Sequence, residues 1–312
     1  MSSTTIAQRV PHAASGNTGH KIRLVAGYLL TFGVIVSLAI YGASYYTLDS
    51  AQRPFSAKHA LLKPSGLIGI KLGMLGVGMF FLIFLYPLRK RWKWLALQGN
   101  TKHWMDFHVM LGIAAPFIIA LHASFKFQGF AGIAFWIMTA VALSGAVGRY
   151  LYAQVPRHVT AAEVSLSESR DLQETCTTEL SSQYLLRKSE LQRLFRVPSA
   201  EEVARMPMLV SLGRMMWLDV TRPFCVAQLR RRTLTTAQSI LSLGGLFRTS
   251  NEELEKAVDI ARMQAYLAKR LAFLSRAERV FHLWHVVHRP FSYSFVLLAL
   301  VHIAVVWMLG YL

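Results

Sequence analysis

Four histidines in two apolar stretches have the residue type and spacing that metal chemistry requires. The stretch "HVMLGIAAPFIIALH" begins at His108 and ends at His122, and "HRPFSYSFVLLALVH" begins at His288 and ends at His302. Over such a spacing an α-helix turns through about 1400° and rises about 21 Å. Each pair therefore lies on one helix face, with one histidine towards each side of a hydrocarbon layer about 30 Å thick.

Two facing helices with this pattern can hold two stacked haems, because haem iron takes two axial ligands and histidine is a common one. Small residues share the histidine faces and would let a flat ring approach the backbone: Gly112 and Ala115 on one helix, Ser292 and Ala299 on the other. Phe295 lies midway between the two levels, where we expect it to fill the space between the haems. The pattern predicts two haem b groups bound by the four histidines.

Charged residues near the helix ends are candidates for neighbouring roles. Arg289, Arg149 and Lys126 are candidate partners of the haem propionates, although a role as interfacial anchors explains each equally well. His103 and Asp106 form a candidate quinone site, because quinone chemistry needs a proton carrier near the membrane surface. A favourable charge at a helix N-terminus explains Asp106 equally well.

The remaining histidines fit the ligand pattern less well. His285 lies about 100° out of phase with His302, so His288 is the better partner. Histidines that fall in loops are interpreted as solvated surface residues: His12, His20, His59 and His158.

Five apolar stretches are long enough to cross a membrane. They cover about residues 24–47, 66–88, 106–125, 129–153 and 283–312. The first is too long for the core of a signal peptide, so we expect it to be retained as a membrane helix. The predicted fold class is all-α, an integral membrane helical bundle of about five transmembrane helices with a cytoplasmic helical insert.

The formal net charge is +18, but its distribution argues against nucleic acid as a partner. Fourteen of the sixteen acidic residues lie between Glu163 and Glu278, so the basic surplus flanks the apolar stretches. Such a surplus is typical of cytoplasmic loops. The bias predicts a cytoplasmic N-terminus, a bacterial inner membrane, and third and fifth helices that run in the same direction.

The predicted domain organisation has four parts. They are a polar tail at 1–23, four transmembrane helices at 24–153, a cytoplasmic helical region at 154–278 and a fifth transmembrane helix at 279–312. Within the cytoplasmic region, helices are predicted to begin at Ser199 and near Asn251. Prolines are predicted to divide this region into separate helices: Pro198, Pro207 and Pro223.

The two histidine stretches resemble the membrane b-type cytochromes, especially the ferric-reductase-like transmembrane domain. The resemblance covers residues 66–153 and 281–312 and implies two b haems across the bilayer. The chain differs from that family in three ways: it has five predicted helices where the family has six core helices, it carries a long insert, and no flavin or nicotinamide domain with a GxGxxG motif follows. A self-contained NADPH-dependent reductase is therefore not expected. Cys176 and Cys225 form no CxxC motif, which argues against covalent c-type haem.

Three hypotheses follow for the function. The first is a di-haem cytochrome that carries electrons between a cytoplasmic-side partner or the quinone pool and a periplasmic or extracellular partner, such as a periplasmic cytochrome. The second is a cytochrome b subunit of a respiratory oxidoreductase that reacts with quinol or quinone. The third is a haem-free membrane scaffold or transporter whose histidines are structural or bind metal ions.

Overall fold

The fold consists of long helices, and every regular element in the described part of the chain is helical. A computed structural model describes residues 18–154, 197–231, 247 and 252–311. Its five longest apolar helices are called the first to fifth spans. They are Thr18–Tyr46, Leu67–Arg89, Thr101–His122, Gly129–Gln154 and the part from Val286 onward of a continuous helix, Glu252–Met308. Shorter helices are His59–Leu62, Lys93–Ala96, Ala200–Arg205 and Met208–Arg231, with a 3-10 turn at Arg53–Phe55.

Five helices are long and apolar enough to cross a membrane, which marks the chain as an integral membrane protein and confirms the predicted fold class. The chain forms two compact units. One contains residues 1–149 and 286–312, and the other contains residues 150–285. The side of the membrane on which the N-terminus and the second unit lie stays a prediction.

The third span is the centre of the first unit. It packs closely against the second span along its length and, less extensively, against the first. Ala114 and Ala115 are almost fully buried, and Ile118 and Leu121 continue the same buried face. Small side chains let membrane helices approach each other closely. The helix continues through Pro116 as far as His122, so the proline does not end it.

A buried arginine holds the far end of the third span. Arg53 follows the first span and donates from Nη1 to the carbonyl of Ser124 at 2.7 Å. It also donates from Nη2 to Tyr46 O at 2.9 Å and from Nε to Leu48 O at 3.0 Å. Because Ser124 comes two residues after His122, Arg53 ties this histidine's end of the third span to the end of the first.

A second buried arginine holds the opposite end. Arg89 ends the second span and donates from Nη1 to the Thr101 hydroxyl at 2.7 Å, in the first turn of the third span. Its Nη2 donates to the carbonyls of Ala96 and Gly99 in the intervening loop at 2.8 and 2.9 Å. Both ends of the third span are therefore fixed by side-chain hydrogen bonds to neighbouring loops.

The described residues of the second unit are helical and contain a buried ionic cluster. Ser199 forms the predicted N-cap, with a complete capping box to Glu202. The prediction that Pro223 divides two helices was wrong, because Met208–Arg231 continues through it. Lys269, whose side chain is 1% exposed, donates to both carboxylate oxygens of Asp219 at 2.6 Å.

Candidate functional site: four histidines in the membrane spans

The two histidines of the third span each bond to a backbone carbonyl of the second span. His108 Nδ1 lies 2.9 Å from Ile83 O, and His122 Nδ1 lies 2.8 Å from Gly69 O. The acceptors are fourteen residues apart, as are the histidines. The two spans run antiparallel, so the same register serves both levels.

These bonds determine which ring nitrogen of each imidazole remains available. A carbonyl oxygen only accepts, so Nδ1 of His108 and of His122 must carry the proton. In the neutral imidazole the lone pair then resides on Nε2, the nitrogen that faces away from the second span's carbonyl. Metal-ligating histidines usually have this arrangement, in which the other ring N–H donates to a carbonyl or carboxylate.

His288 on the fifth span also bonds through Nδ1, but its partner is a hydroxyl. Its Nδ1 lies 2.8 Å from Ser144 Oγ on the fourth span. A hydroxyl can donate or accept, so this contact fixes the position of the His288 ring without fixing its tautomer. Gly145 lies beside the ring, because a Cβ there would sit 3.6 Å from His288 Cε1.

The two predicted haem levels differ in the elements that hold their histidines. His122 on the third span bonds to the second span, whereas His302 lies on the fifth span. His108 and His288 are oriented by different neighbours. The second span bonds to His108, and the fourth span bonds to His288. Between the two levels, Phe295 is 8% exposed and packs edge-to-face on Phe80, with ring centroids 4.8 Å apart. Phe295 thus lies in the hydrophobic core of the first unit.

The face of the third span at Gly112 is open. A Cβ added at Gly112 would meet no atom within 4 Å, although this residue is only partly exposed and shares the histidine face. Two imidazoles with bonded Nδ1–H groups and the open space at Gly112 are compatible with histidine ligation of a planar group, which stays a prediction. In the described part of the chain, no group of three or more His, Cys, Asp or Glu side chains converges on one point.

The three candidate propionate partners differ in their surroundings. Arg149 donates from Nη2 to Asp106 Oδ1 at 2.8 Å, so a carboxylate of the protein itself already pairs with it. Arg289 and Lys126 are exposed, and neither forms an ion pair with a residue that the structure describes. Their role towards a propionate stays a prediction.

The candidate quinone residues belong to a polar cluster that links three spans. Asp106 accepts from His20 Nε2 at 3.1 Å as well as from Arg149, and it is 7% exposed. The His20 and His103 rings stack with centroids 3.6 Å apart. The interpretation of His20 as a loop residue was wrong, because it lies in the first span. A quinone at this cluster stays a prediction.

The other loop histidines have mixed outcomes. The interpretation of His59 as a solvated loop residue was wrong, because it begins the helix His59–Leu62 and is half-buried, with its Nδ1 3.1 Å from the Tyr45 hydroxyl. His12 and His158 lie outside the described residues. His285 contacts the rings of Phe281 and Trp284 in the second unit.

Comparison with protein-family models, with curated proteins and with solved structures gives no match for this chain.

Proposed function

We propose that this protein is a di-haem b-type cytochrome that carries electrons across the membrane between redox partners on its two sides. His108 and His288 would hold one haem, and His122 and His302 the other. When bound, the two haems supply one-electron transfer. The chain's own residues bind the rings, orient the ligands and exclude water.

The observation that carries the proposal is the pair of bonds from His108 and His122 to the second span. Ionisable side chains at membrane depth are costly, and a merely structural histidine would be satisfied by any neighbour. Here two histidines on one face bond to two carbonyls in a matching register. Both bonds leave Nε2, the usual iron-binding nitrogen, with its lone pair.

The fourth and fifth spans support the same interpretation. Ser144 on the fourth span bonds to Nδ1 of His288, just as Ile83 O on the second span bonds to Nδ1 of His108. Phe295 separates the two levels with an apolar ring, which keeps water out of the space between them. Redox partners on either side, including a periplasmic cytochrome, a cytoplasmic-side subunit or the quinone pool, belong to the proposal.

The haem spectrum of purified protein tests the proposal. Protein produced with haem supplied should show a reduced b-type spectrum and about two haems per chain. His108→Ala and His288→Ala should each remove the same haem, and His122→Ala and His302→Ala the other, as resolved by redox titration. His282→Ala is the matched control, because His282 is exposed on the same helix as two of the ligands and should leave both haems unchanged.

The results also separate the alternatives. Folded wild-type protein without haem would overturn the proposal and favour the scaffold or transporter. Haem that persists unchanged in all four histidine variants would overturn the ligand assignment. Reduction of the bound haem by a quinol analogue, abolished by His103→Ala, would identify quinone as one of the partners.

A further inference from the structure

We propose that Gly73 and Pro87 of the second span are positioning residues for the two histidines of the third. Pro87 frees the carbonyl that accepts from His108, and Gly73 makes room for the ring of His122. The inference rests on the proposed function, because it assigns to these residues a separate influence on each of the two haems.

Pro87 explains why Ile83 O is available to His108. In an α-helix the carbonyl of residue 83 would accept from the N–H of residue 87. Proline has no N–H, so the Ile83 carbonyl has no helical donor at that position. His108 Nδ1 fills the vacant place at 2.9 Å. Without this proline the Ile83 carbonyl would also accept from the backbone N–H of residue 87, so its bond to His108 would weaken.

Gly73 explains how His122 approaches the second span. A Cβ at Gly73 would lie 2.8 Å from His122 Cε1 and 2.9 Å from Nδ1, which is closer than non-bonded carbon and nitrogen atoms approach. The ring therefore lies against bare backbone while its Nδ1 donates to Gly69 O. Any side chain at position 73 would displace the imidazole and lengthen that bond.

The spacing of these residues matches that of the histidines. Gly73 and Pro87 are fourteen residues apart, each four residues after the carbonyl that accepts from a histidine. Helix packing is the ordinary explanation of a membrane glycine, and helix bending that of a membrane proline. Neither explanation accounts for two such residues that coincide with two histidine levels. Gly78, in the same span, faces open space and shows what an uninvolved glycine looks like.

The hydrogen bond at Nδ1 influences the iron through the ligand. Donation from Nδ1–H to a carbonyl fixes the ring orientation and makes Nε2 more basic. A more basic ligand stabilises oxidised iron more than reduced iron, and hydrogen bonding around the ligands is one of the means by which a protein sets haem potential. Loss of either bond should therefore raise the reduction potential of one haem and leave the other unchanged.

Single substitutions test the two halves of the proposal separately. Pro87→Ala supplies an N–H for Ile83 O and also favours the helix, so the protein should fold. The haem that His108→Ala removes should then titrate at a higher potential, with the second haem unaffected. Gly73→Ala should act on the other haem and lower its affinity about ten- to a hundredfold, the usual effect of losing such an outer hydrogen bond. Gly78→Ala is the matched control and should change neither haem.

The proposal and the proposed function can fail independently. If Pro87→Ala and Gly73→Ala leave both potentials and both haem affinities at the wild-type values, the positioning role is overturned while the cytochrome stands. If folded wild-type protein binds no haem, the cytochrome fails. In that case ¹⁵N NMR of histidine-labelled protein decides the positioning role. The fraction of the Nδ1–H tautomer should fall for His108 in Pro87→Ala and for His122 in Gly73→Ala, and unchanged fractions would overturn it.

Discussion

Replacement of Arg53 by alanine should destabilise the first unit strongly. The side chain is 7% exposed and donates three hydrogen bonds to carbonyls, at 2.7, 2.9 and 3.0 Å. Each hydrogen bond from a charged donor contributes about 1.5–3 kcal/mol to stability. The cost of burying the guanidinium offsets part of that sum. We therefore expect Arg53→Ala to lower the free energy of unfolding by about 4 kcal/mol, near the lower end of the total.

Two further variants show whether the loss of stability comes from the three hydrogen bonds of the guanidinium or from its charge alone. Arg53→Lys keeps the charge but presents a point donor in place of a planar fork, so about half of the loss should remain. Lys63→Ala removes a partly buried cation from the same loop, where no described residue accepts from its side chain, and should change stability by less than about 0.5 kcal/mol.

Equilibrium unfolding in mixed micelles with increasing SDS, followed by circular dichroism, measures these differences. If Arg53→Ala is within about 1 kcal/mol of the Lys63→Ala control, three charged-donor bonds contribute far less than the geometry implies. The interpretation of Arg53 as a clamp on the third span would then be refuted.

Three other variants test separate interactions by the same unfolding assay unless noted. Asp106→Asn removes the charge that pairs with Arg149 at 2.8 Å and should cost about 2 kcal/mol, since Arg149 is partly solvated; wild-type stability would contradict a role in joining the spans. Lys269→Met leaves Asp219 without its buried cation and should cost about 3 kcal/mol, whereas a gain in stability would show that desolvation outweighs the pair. Ser199→Ala removes a capping box and should cost about 1 kcal/mol, seen as faster amide hydrogen exchange in the helix that begins at Ala200; unchanged exchange would contradict it.

The five spans could be predicted from the sequence because a long apolar run in a helix-forming chain has few alternatives in a membrane. The bounds of the fifth helix could not. Its N-terminal part begins at Glu252, more than thirty residues before the apolar run at about 283. A change in hydropathy alters what a helix face contacts, but it does not end the helix. Pro290 lies inside this helix, and the helix continues through it to Met308.

The candidate ligands could also be proposed from spacing, but their hydrogen-bond partners could not. The acceptors of His108 and His122 are backbone carbonyls, and every residue has one, so residue identity does not reveal them. Pro87 was the available signal, because a proline in an apolar span always frees the carbonyl four residues earlier. The link from Asp106 to His20 spans 86 residues of sequence and depends on how the first and third spans pack, which no local pattern specifies.

The matched spacing in the second and third spans limits the insertions and deletions that this protein can tolerate. One inserted or deleted residue between the two levels of either helix would rotate and shift one imidazole relative to its carbonyl while the other pair stayed in place. An edit of the same length and the same kind in the other helix would be needed to restore the axial levels of both pairs. The axial separation of the two sites therefore depends on two helix segments of equal length, and neither segment can change its length without the other.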